Sequence, residues 1–224
     1  YVGSLLGNLL SALLADAFGL QMGSSLDTLM ETNPLVLVFI LLIAAPLCEE
    51  WFFRKLLLDR ACIYGEKLAI FVSALLFAFY HTSIYQFFYA FFIGLIFGYL
   101  YLRTGRLWVT ALMHAIFNLV CGILPYVMLR FGIFGAFMEA ETVDEQIAVI
   151  LENPVGTAVA CVYGFVCLGL LIGGCLLLGK YRKKIFFKPA ACPLPPDTEG
   201  AAAFVNVGML LCIIAAVLAT LCFG

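Results

Sequence analysis

The chain reads Cys48-Glu49-Glu50-Trp51-Phe52-Phe53-Arg54 in the middle of an otherwise apolar segment. Residues 35–47 before it contain no charged side chain, and three leucines follow at 56–58. A charged side chain near the centre of a bilayer costs roughly 2.5–3.5 kcal/mol on insertion scales, so such charges usually pair with one another or face an interior cavity. We therefore expect the three charges of this stretch to line a functional site. The alternative is that the membrane helix ends at Cys48 and the acids lie among lipid headgroups.

The composition of the whole chain supports a membrane setting. Of its 224 residues, 65% are hydrophobic and only 12% are charged, whereas about a quarter of the residues in soluble domains are charged. This balance indicates a polytopic membrane protein. The net charge of −2 is uninformative about nucleic acid, and no basic stripe with interleaved aromatic residues indicates that the chain binds it. The nine cysteines form no C-x-x-C pair, so neither a disulfide framework nor a zinc knuckle is expected.

The apolar segments predict an all-α fold, a transmembrane helical bundle with about seven spans. They cover residues 2–20, 34–58, 67–83, 85–103, 107–128, 155–179 and 203–223. The first segment is the weakest because polar residues and a glycine interrupt it, so it either crosses the membrane or lies in its interface. The longest polar pieces are residues 129–154, which are acidic, and residues 180–202.

Lysine and arginine are sorted to one side of this arrangement. If consecutive segments alternate across the membrane, one side collects Lys55, Arg60, Lys67, Arg103, Arg106 and the basic cluster at 180–188. The other side holds Arg130 with the acidic loop 129–154, Asp27 and Glu31. Since basic loops remain in the cytoplasm, we expect the basic side to be cytoplasmic.

Three further polar residues, His81, His114 and Asn118, lie in or beside apolar segments. A lone histidine in a membrane helix is more often a packing residue than a catalyst. Counting ~1.5 Å of rise per residue from the nearest basic residue places Glu49, His81, His114 and Asn118 at depths of about 16, about 21, about 12 and about 18 Å. All four depths fall near the middle of a hydrocarbon core of about 30 Å. We therefore expect three helices to line one buried polar pocket.

Helical spacing indicates which of these side chains share a face. His114 and Asn118 are four residues apart and point the same way. Glu50 and Arg54 have the spacing and order of a favourable ion pair, which would neutralise Glu50. Glu49 would then be left to face the histidines, and Pro46 would kink the helix near the site.

A carboxylate and an imidazole around a water molecule can remove its proton in a cavity that excludes bulk solvent. Burial makes Glu49 a stronger base, and His81 would orient the same water. His114 and Asn118 would donate hydrogen bonds to the oxyanion of a tetrahedral intermediate. The predicted reaction is hydrolysis of a peptide bond in the membrane. Neither G-x-S-x-G nor H-E-x-x-H occurs in the chain, so no rival protease motif competes.

Three motifs in the chain resemble those of a known family. They are Glu49-Glu50-x-x-x-Arg54, Phe77-x-x-x-His81 and His114-x-x-x-Asn118. In order and spacing they resemble the motifs of the CPBP intramembrane proteases, which include type II CAAX prenyl endopeptidases and the bacteriocin-processing or immunity (Abi) proteins. The resemblance covers about residues 34–125.

This resemblance implies a role for each motif residue. It makes Glu49 the water-activating glutamate and His81 its partner, with His114 and Asn118 as the oxyanion site and with Glu50, Arg54 and Phe77 in support. We expect one membrane domain over residues 1–224, a catalytic core at 34–125, and flanking helices and loops at 1–33 and 130–224.

Other readings of the same residues stay open. Glu49, His81 and His114 are also ligand types that suit zinc, although the resemblance implies a glutamate mechanism without a cofactor. A non-catalytic scaffold or self-immunity protein would keep the fold and bind a partner instead. A proton-coupled transporter would also carry intramembrane Glu and His, but the chain shows no repeat of the helices that carry them.

The expected partners are the lipid bilayer and a membrane-associated peptide or protein substrate, and the expected location is the bacterial plasma membrane. A peptide precursor is favoured over a prenylated protein, because prenylated CAAX proteins are not expected in bacteria.

Overall fold

The computed structural model describes residues 2–18, 33–130, 136, 140, 142–195, 198 and 207–223. All regular secondary structure within these residues is helical. The helices are α1 (Val2–Phe18), α2 (Pro34–Tyr64), α3 (Glu66–Tyr80), α4 (Ile84–Thr104), α5 (Leu107–Leu129), α6 (Val143–Glu152), α7 (Pro154–Tyr181) and α8 (Val207–Phe223). The chain divides into two compact units, one of Tyr1–Ile116 with Phe187–Gly224 and one of Phe117–Phe186. The single domain with a core at 34–125 stays a prediction.

Helices α2, α4, α5 and α7, the last extended to Lys184, are long and apolar enough to cross a membrane in the described part of the chain. Their surfaces expose many large apolar side chains, as expected of helices that face lipid. The predicted all-α membrane class is therefore confirmed. The predicted number of seven spans is not, because α1, α3 and α8 have 17, 15 and 17 residues.

Close backbone contact joins α3 and α4 into a hairpin. A side chain at Gly94 would place its first carbon 2.9 Å from the Cα atom of Ala74, so only glycine allows the two helices to approach this closely. One turn further along α4, Gly98 makes a looser contact, since a side chain there would lie 3.3 Å from the side chain of Ile70. Small residues at four-residue spacing are a common way to bring helices together in lipid, where the hydrophobic effect does not drive association.

Helix α1 packs on α4 through a second pair of glycines. Side chains at Gly3 or Gly7 would meet the backbone of Tyr89 or Tyr85 at 2.6 and 2.7 Å. Helix α4 therefore has a glycine-mediated contact with a neighbour on each of two sides.

An extended segment of the chain, residues 187–192, is fixed to the start of α3. Glu66 is buried, receives a hydrogen bond from the guanidinium of Arg103, and also accepts the backbone N–H of Lys188 at 2.8 Å. The backbone N–H of Cys192 donates to the carbonyl of Ile63 at 2.9 Å. These contacts tie the end of α2, the start of α3 and the end of α4 together.

The predicted acidic loop 129–154 is partly wrong, because α6 occupies most of its second half. The side chain of Thr142 accepts the N–H of Glu145, whose carboxylate accepts the N–H of Thr142. This capping box starts the helix. Asp27, Glu31 and the side chain of Arg130, which entered the orientation argument, lie outside the described residues.

Candidate active site

Helix α2 is irregular on both sides of its acidic pair. Wide π-helical turns at Ile40–Ala44 and Trp51–Leu58 flank a regular α-helical stretch, Ala45–Glu50. Pro46 is fully buried near the start of that stretch and lacks the N–H that a regular helix requires. Widened turns of this kind are frequent at functional sites because they re-aim the side chains that follow.

The predicted ion pair between Glu50 and Arg54 is present and completely buried. The Nε of Arg54 donates to Oε2 of Glu50 at 2.9 Å, and both side chains are 0% exposed. A buried ion pair is tolerated only when further contacts offset the loss of hydration. Two of these contacts come from α3, where Ser73 accepts a hydrogen bond from Nη1 of Arg54 at 3.0 Å and the ring of Phe77 lies 5.2 Å from the guanidinium carbon.

His114 lies between the two glutamates. Its Nδ1 is 3.1 Å from Oε1 of Glu50, within hydrogen-bonding distance, and its Nε2 is 3.9 Å from Oε2 of Glu49. The expectation that Glu49 alone faces the histidines is therefore wrong in part. A carboxylate has two oxygens, so Glu50 holds Arg54 with one and His114 with the other, whereas spacing along α2 showed only the first partner.

Glu49 is the less constrained of the two acids. Its side chain is 13% exposed, yet its Oε2 atom is buried and has no hydrogen-bond partner within the part of the chain that the structure describes. Because almost all buried polar atoms are hydrogen-bonded, such an oxygen requires an explanation, and a bound water molecule or substrate group is one.

His81 is the first residue after α3, and its ring caps the end of that helix. Its Nδ1 lies 2.8 Å from the carbonyl oxygen of Phe77, so this nitrogen carries the proton and donates. The neutral ring then has its lone pair on Nε2, where it can accept a hydrogen bond. The chain turns sharply here, since Thr82 has a left-handed φ of 48°.

Phe77 is the aromatic neighbour that the polar groups share. Its ring centroid lies 4.8 Å from that of His81 and 5.8 Å from that of His114, with edge-to-face geometry in both cases. Phe77 is 2% exposed. The second motif residue of α3 thus packs against both imidazoles and against Arg54.

The structure brings together Glu49, Glu50, Arg54, Phe77, His81 and His114 in the first unit of the chain. Asn118, one turn after His114 on α5, belongs to the second unit, and its expected role stays a prediction. Sequence reasoning missed Ser73. A signal for it exists, because Ser73, Phe77 and His81 follow one another at four-residue spacing along one face of α3.

The described residues contain no group of three His, Cys, Asp or Glu side chains arranged to hold a metal ion. The alternative in which Glu49, His81 and His114 bind zinc stays a prediction.

These features define a class of protein: a helical membrane protein with glutamate, histidine and arginine side chains buried where its helices meet. The family described as type II CAAX prenyl endopeptidase Rce1-like matches residues 31–120. The match covers less than half of the chain, and it agrees with the resemblance of the three motifs to the CPBP proteases. The match includes every candidate site residue named above. No curated protein and no solved structure matches the chain.

Proposed function

We propose that the chain is an intramembrane endopeptidase that hydrolyses a peptide bond in a membrane-associated peptide or protein. One observation carries the mechanism: the buried Oε2 of Glu49 has no hydrogen-bond partner among the described residues and lies 3.9 Å from Nε2 of His114. A gap of this length exceeds a direct hydrogen bond and suits a water molecule bound to both groups. The family supports the protease class.

Glu49 is the general base in this proposal. Its carboxylate takes a proton from the water, whose oxygen attacks the carbonyl carbon of the scissile peptide bond. Nε2 of His81 accepts a hydrogen bond from the second O–H of the water and thereby orients it. Nε2 is the nitrogen available for this, because Nδ1 already donates to the carbonyl of Phe77. The C–N bond then breaks, and Glu49 returns its proton to the leaving amine.

His114 supplies a donor to the oxyanion when its ring is doubly protonated. A neutral ring that donates from Nδ1 to Glu50 carries only a lone pair on Nε2, whereas an imidazolium donates from both nitrogens. Asn118 is the proposed second donor to the oxyanion.

The mechanism is proposed to be independent of metal, because the three motifs resemble those of a glutamate-dependent family of proteases. The test is a chelator titration with elemental analysis of the purified protein. Full activity without stoichiometric zinc is expected, and loss of zinc and activity in parallel would refute the metal-free route.

The proposed setting is the bacterial plasma membrane, with the basic loops in the cytoplasm and a peptide precursor as substrate. Single cysteines introduced at Lys67 and at Asp144, into a variant without native cysteines, test this orientation by labelling in intact cells. Lys67 is expected to be protected from an impermeant reagent and Asp144 to be accessible, and the reverse pattern would overturn the orientation.

The decisive experiment gives purified protein in liposomes a membrane-anchored peptide, with and without a prenyl group. Glu49→Gln and His81→Asn are expected to lose at least about 100-fold in cleavage rate. Glu152→Gln, an exposed glutamate at the end of α6, is the matched control and is expected to cleave normally. If Glu49→Gln cleaves as well as the wild type, the proposal fails and the non-catalytic scaffold or immunity function replaces it.

A further inference from the structure

Ser73 is a fully buried hydroxyl that connects two helices. It lies on α3 and is 0% exposed. Its Oγ donates to the backbone carbonyl of Phe53 at 2.9 Å and accepts a hydrogen bond from Nη1 of Arg54 at 3.0 Å. It therefore holds two successive residues of α2, one by its backbone and one by its side chain.

This arrangement differs from the usual behaviour of serine and threonine in helices. Their hydroxyls commonly bond back to a carbonyl three or four residues earlier in the same helix. Thr110 on α5 does so, since its Oγ1 donates to the carbonyl of Leu107 at 2.9 Å and its residue is also 0% exposed. Ser73 instead uses its single proton across the helix interface, which leaves only lone pairs for Arg54.

The contact falls where α2 is least regular. Phe53 and Arg54 both lie in the π-helical turn Trp51–Leu58, in which backbone hydrogen bonds have shifted from the α-helical pattern. Ser73 thus fixes the rotation of α2 immediately after the acidic pair.

From Ser73 a continuous series of polar contacts leads to the reacting groups. Arg54 holds Oε2 of Glu50, Oε1 of Glu50 holds Nδ1 of His114, and Nε2 of His114 faces Glu49. Ser73 does not itself contact Glu49 or His114 in this series. Its influence on them passes through Arg54 and Glu50.

We propose that Ser73 is a positioning residue, which sets the orientation of His114 relative to Glu49 by anchoring Arg54. The inference rests on the proposed proteolysis for its catalytic consequence, whereas its structural part can be measured without activity.

The kinetic test compares Ser73→Ala with Thr110→Val in the liposome cleavage assay. Both variants delete a fully buried hydroxyl, but only the first breaks the connection to Arg54. Ser73→Ala is expected to lower kcat roughly 10- to 100-fold with KM within about twofold, because a hydrogen bond to a charged group is lost. Thr110→Val is expected to lower kcat less than about threefold.

A mutant cycle with Arg54→Lys separates positioning from general packing. Lysine keeps the positive charge but lacks the guanidinium nitrogen that reaches Ser73. Ser73→Ala should therefore have almost no additional effect in the Arg54→Lys background. Additive losses would overturn the proposal, as would equal losses in the two hydroxyl variants or a wild-type kcat in Ser73→Ala.

The structural test uses the two histidines of the chain, which give only two sets of ring signals in ¹⁵N-histidine spectra. The His81→Asn variant assigns them. Ser73→Ala is expected to shift the ring nitrogens of His114 and not those of His81, and Thr110→Val to shift those of His114 much less. If the wild type cleaves no substrate but this pattern appears, the proposed function fails and the positioning role stands. Unchanged His114 signals in folded Ser73→Ala refute the role whether or not the protein is a protease.

Discussion

Removal of the Arg54 guanidinium gives the sharpest test of how the site is held together. Arg54→Met keeps most of the side-chain volume and deletes the positive charge. Glu50 then keeps only His114 as a partner, and it stays completely buried. Breaking a buried ion pair by removing one partner typically costs 3–5 kcal/mol in the free energy of unfolding. For a chain of this length that cost corresponds to a fall in Tm of roughly 6–20 °C.

The same reasoning predicts the outcome of a double-mutant cycle. Glu50→Gln alone leaves the guanidinium of Arg54 buried without its anion and is expected to be destabilising by a similar amount. In the double variant neither charge remains, so the loss is expected to be smaller than the sum of the two single losses by at least about 2 kcal/mol.

The measurement is thermal unfolding of the purified protein in one detergent, followed by far-ultraviolet circular dichroism. Lys55→Met is the matched control, because its ion pair with Asp59 is exposed to solvent and contributes little to stability. Additive losses in the cycle, or equal Tm values for Arg54→Met and Lys55→Met, would refute the description of Glu50 and Arg54 as a buried coupled pair.

Three further changes have defined outcomes. Gly94→Ala should lower the free energy of unfolding by about 1–3 kcal/mol, because the new methyl group would clash with Ala74. The control, Gly169→Ala, lies in open space on α7 and should be neutral or slightly stabilising. Equal Tm values for the two variants would contradict the close contact of α3 with α4. Thr82→Gly should raise the stability by about 1 kcal/mol by relieving its left-handed φ, and a lower Tm would show that the threonine side chain is needed. Phe77→Leu should lower the cleavage rate at least about tenfold while most of the protein stays folded at the assay temperature. If the fraction of unfolded protein accounts for the whole loss of rate, Phe77 is only a packing residue.

Much of the fold is readable from the sequence because lipid restricts what the backbone can do. An apolar run must form a helix there, since only a helix satisfies its own N–H and C=O groups. The segments 85–103 and 107–128 accordingly match α4 and α5 within two residues. The segment 34–58 falls short of α2 by six residues, because Asp59 and Arg60 end the apolar run without ending the helix.

The site was predictable where it depends on spacing within one helix and not where it depends on contact between helices. The four-residue spacing of Glu50 and Arg54 gives their ion pair directly. The second partner of Glu50, His114, lies 64 residues away along the chain, and no pattern in α2 specifies it. No sequence pattern specifies the hydrogen bond from Ser73 to the backbone carbonyl of Phe53 either. The π-helical turns also escape sequence reasoning, since they result from the balance between local hydrogen bonds and packing against α3.

The length of α3 has a consequence for the lipid around it. Its 15 residues extend about 22 Å, while a typical hydrocarbon core is about 30 Å thick. Helix α3, which ends one residue before His81, is thus too short for an average bilayer, although the neighbouring α4 is long enough to cross one. Such a mismatch is relieved when the acyl chains are shorter and the two leaflets locally thinner. Bilayer thickness therefore contributes to the energy of holding the His81 ring in place. Lipid composition is then expected to affect the rate of the reaction.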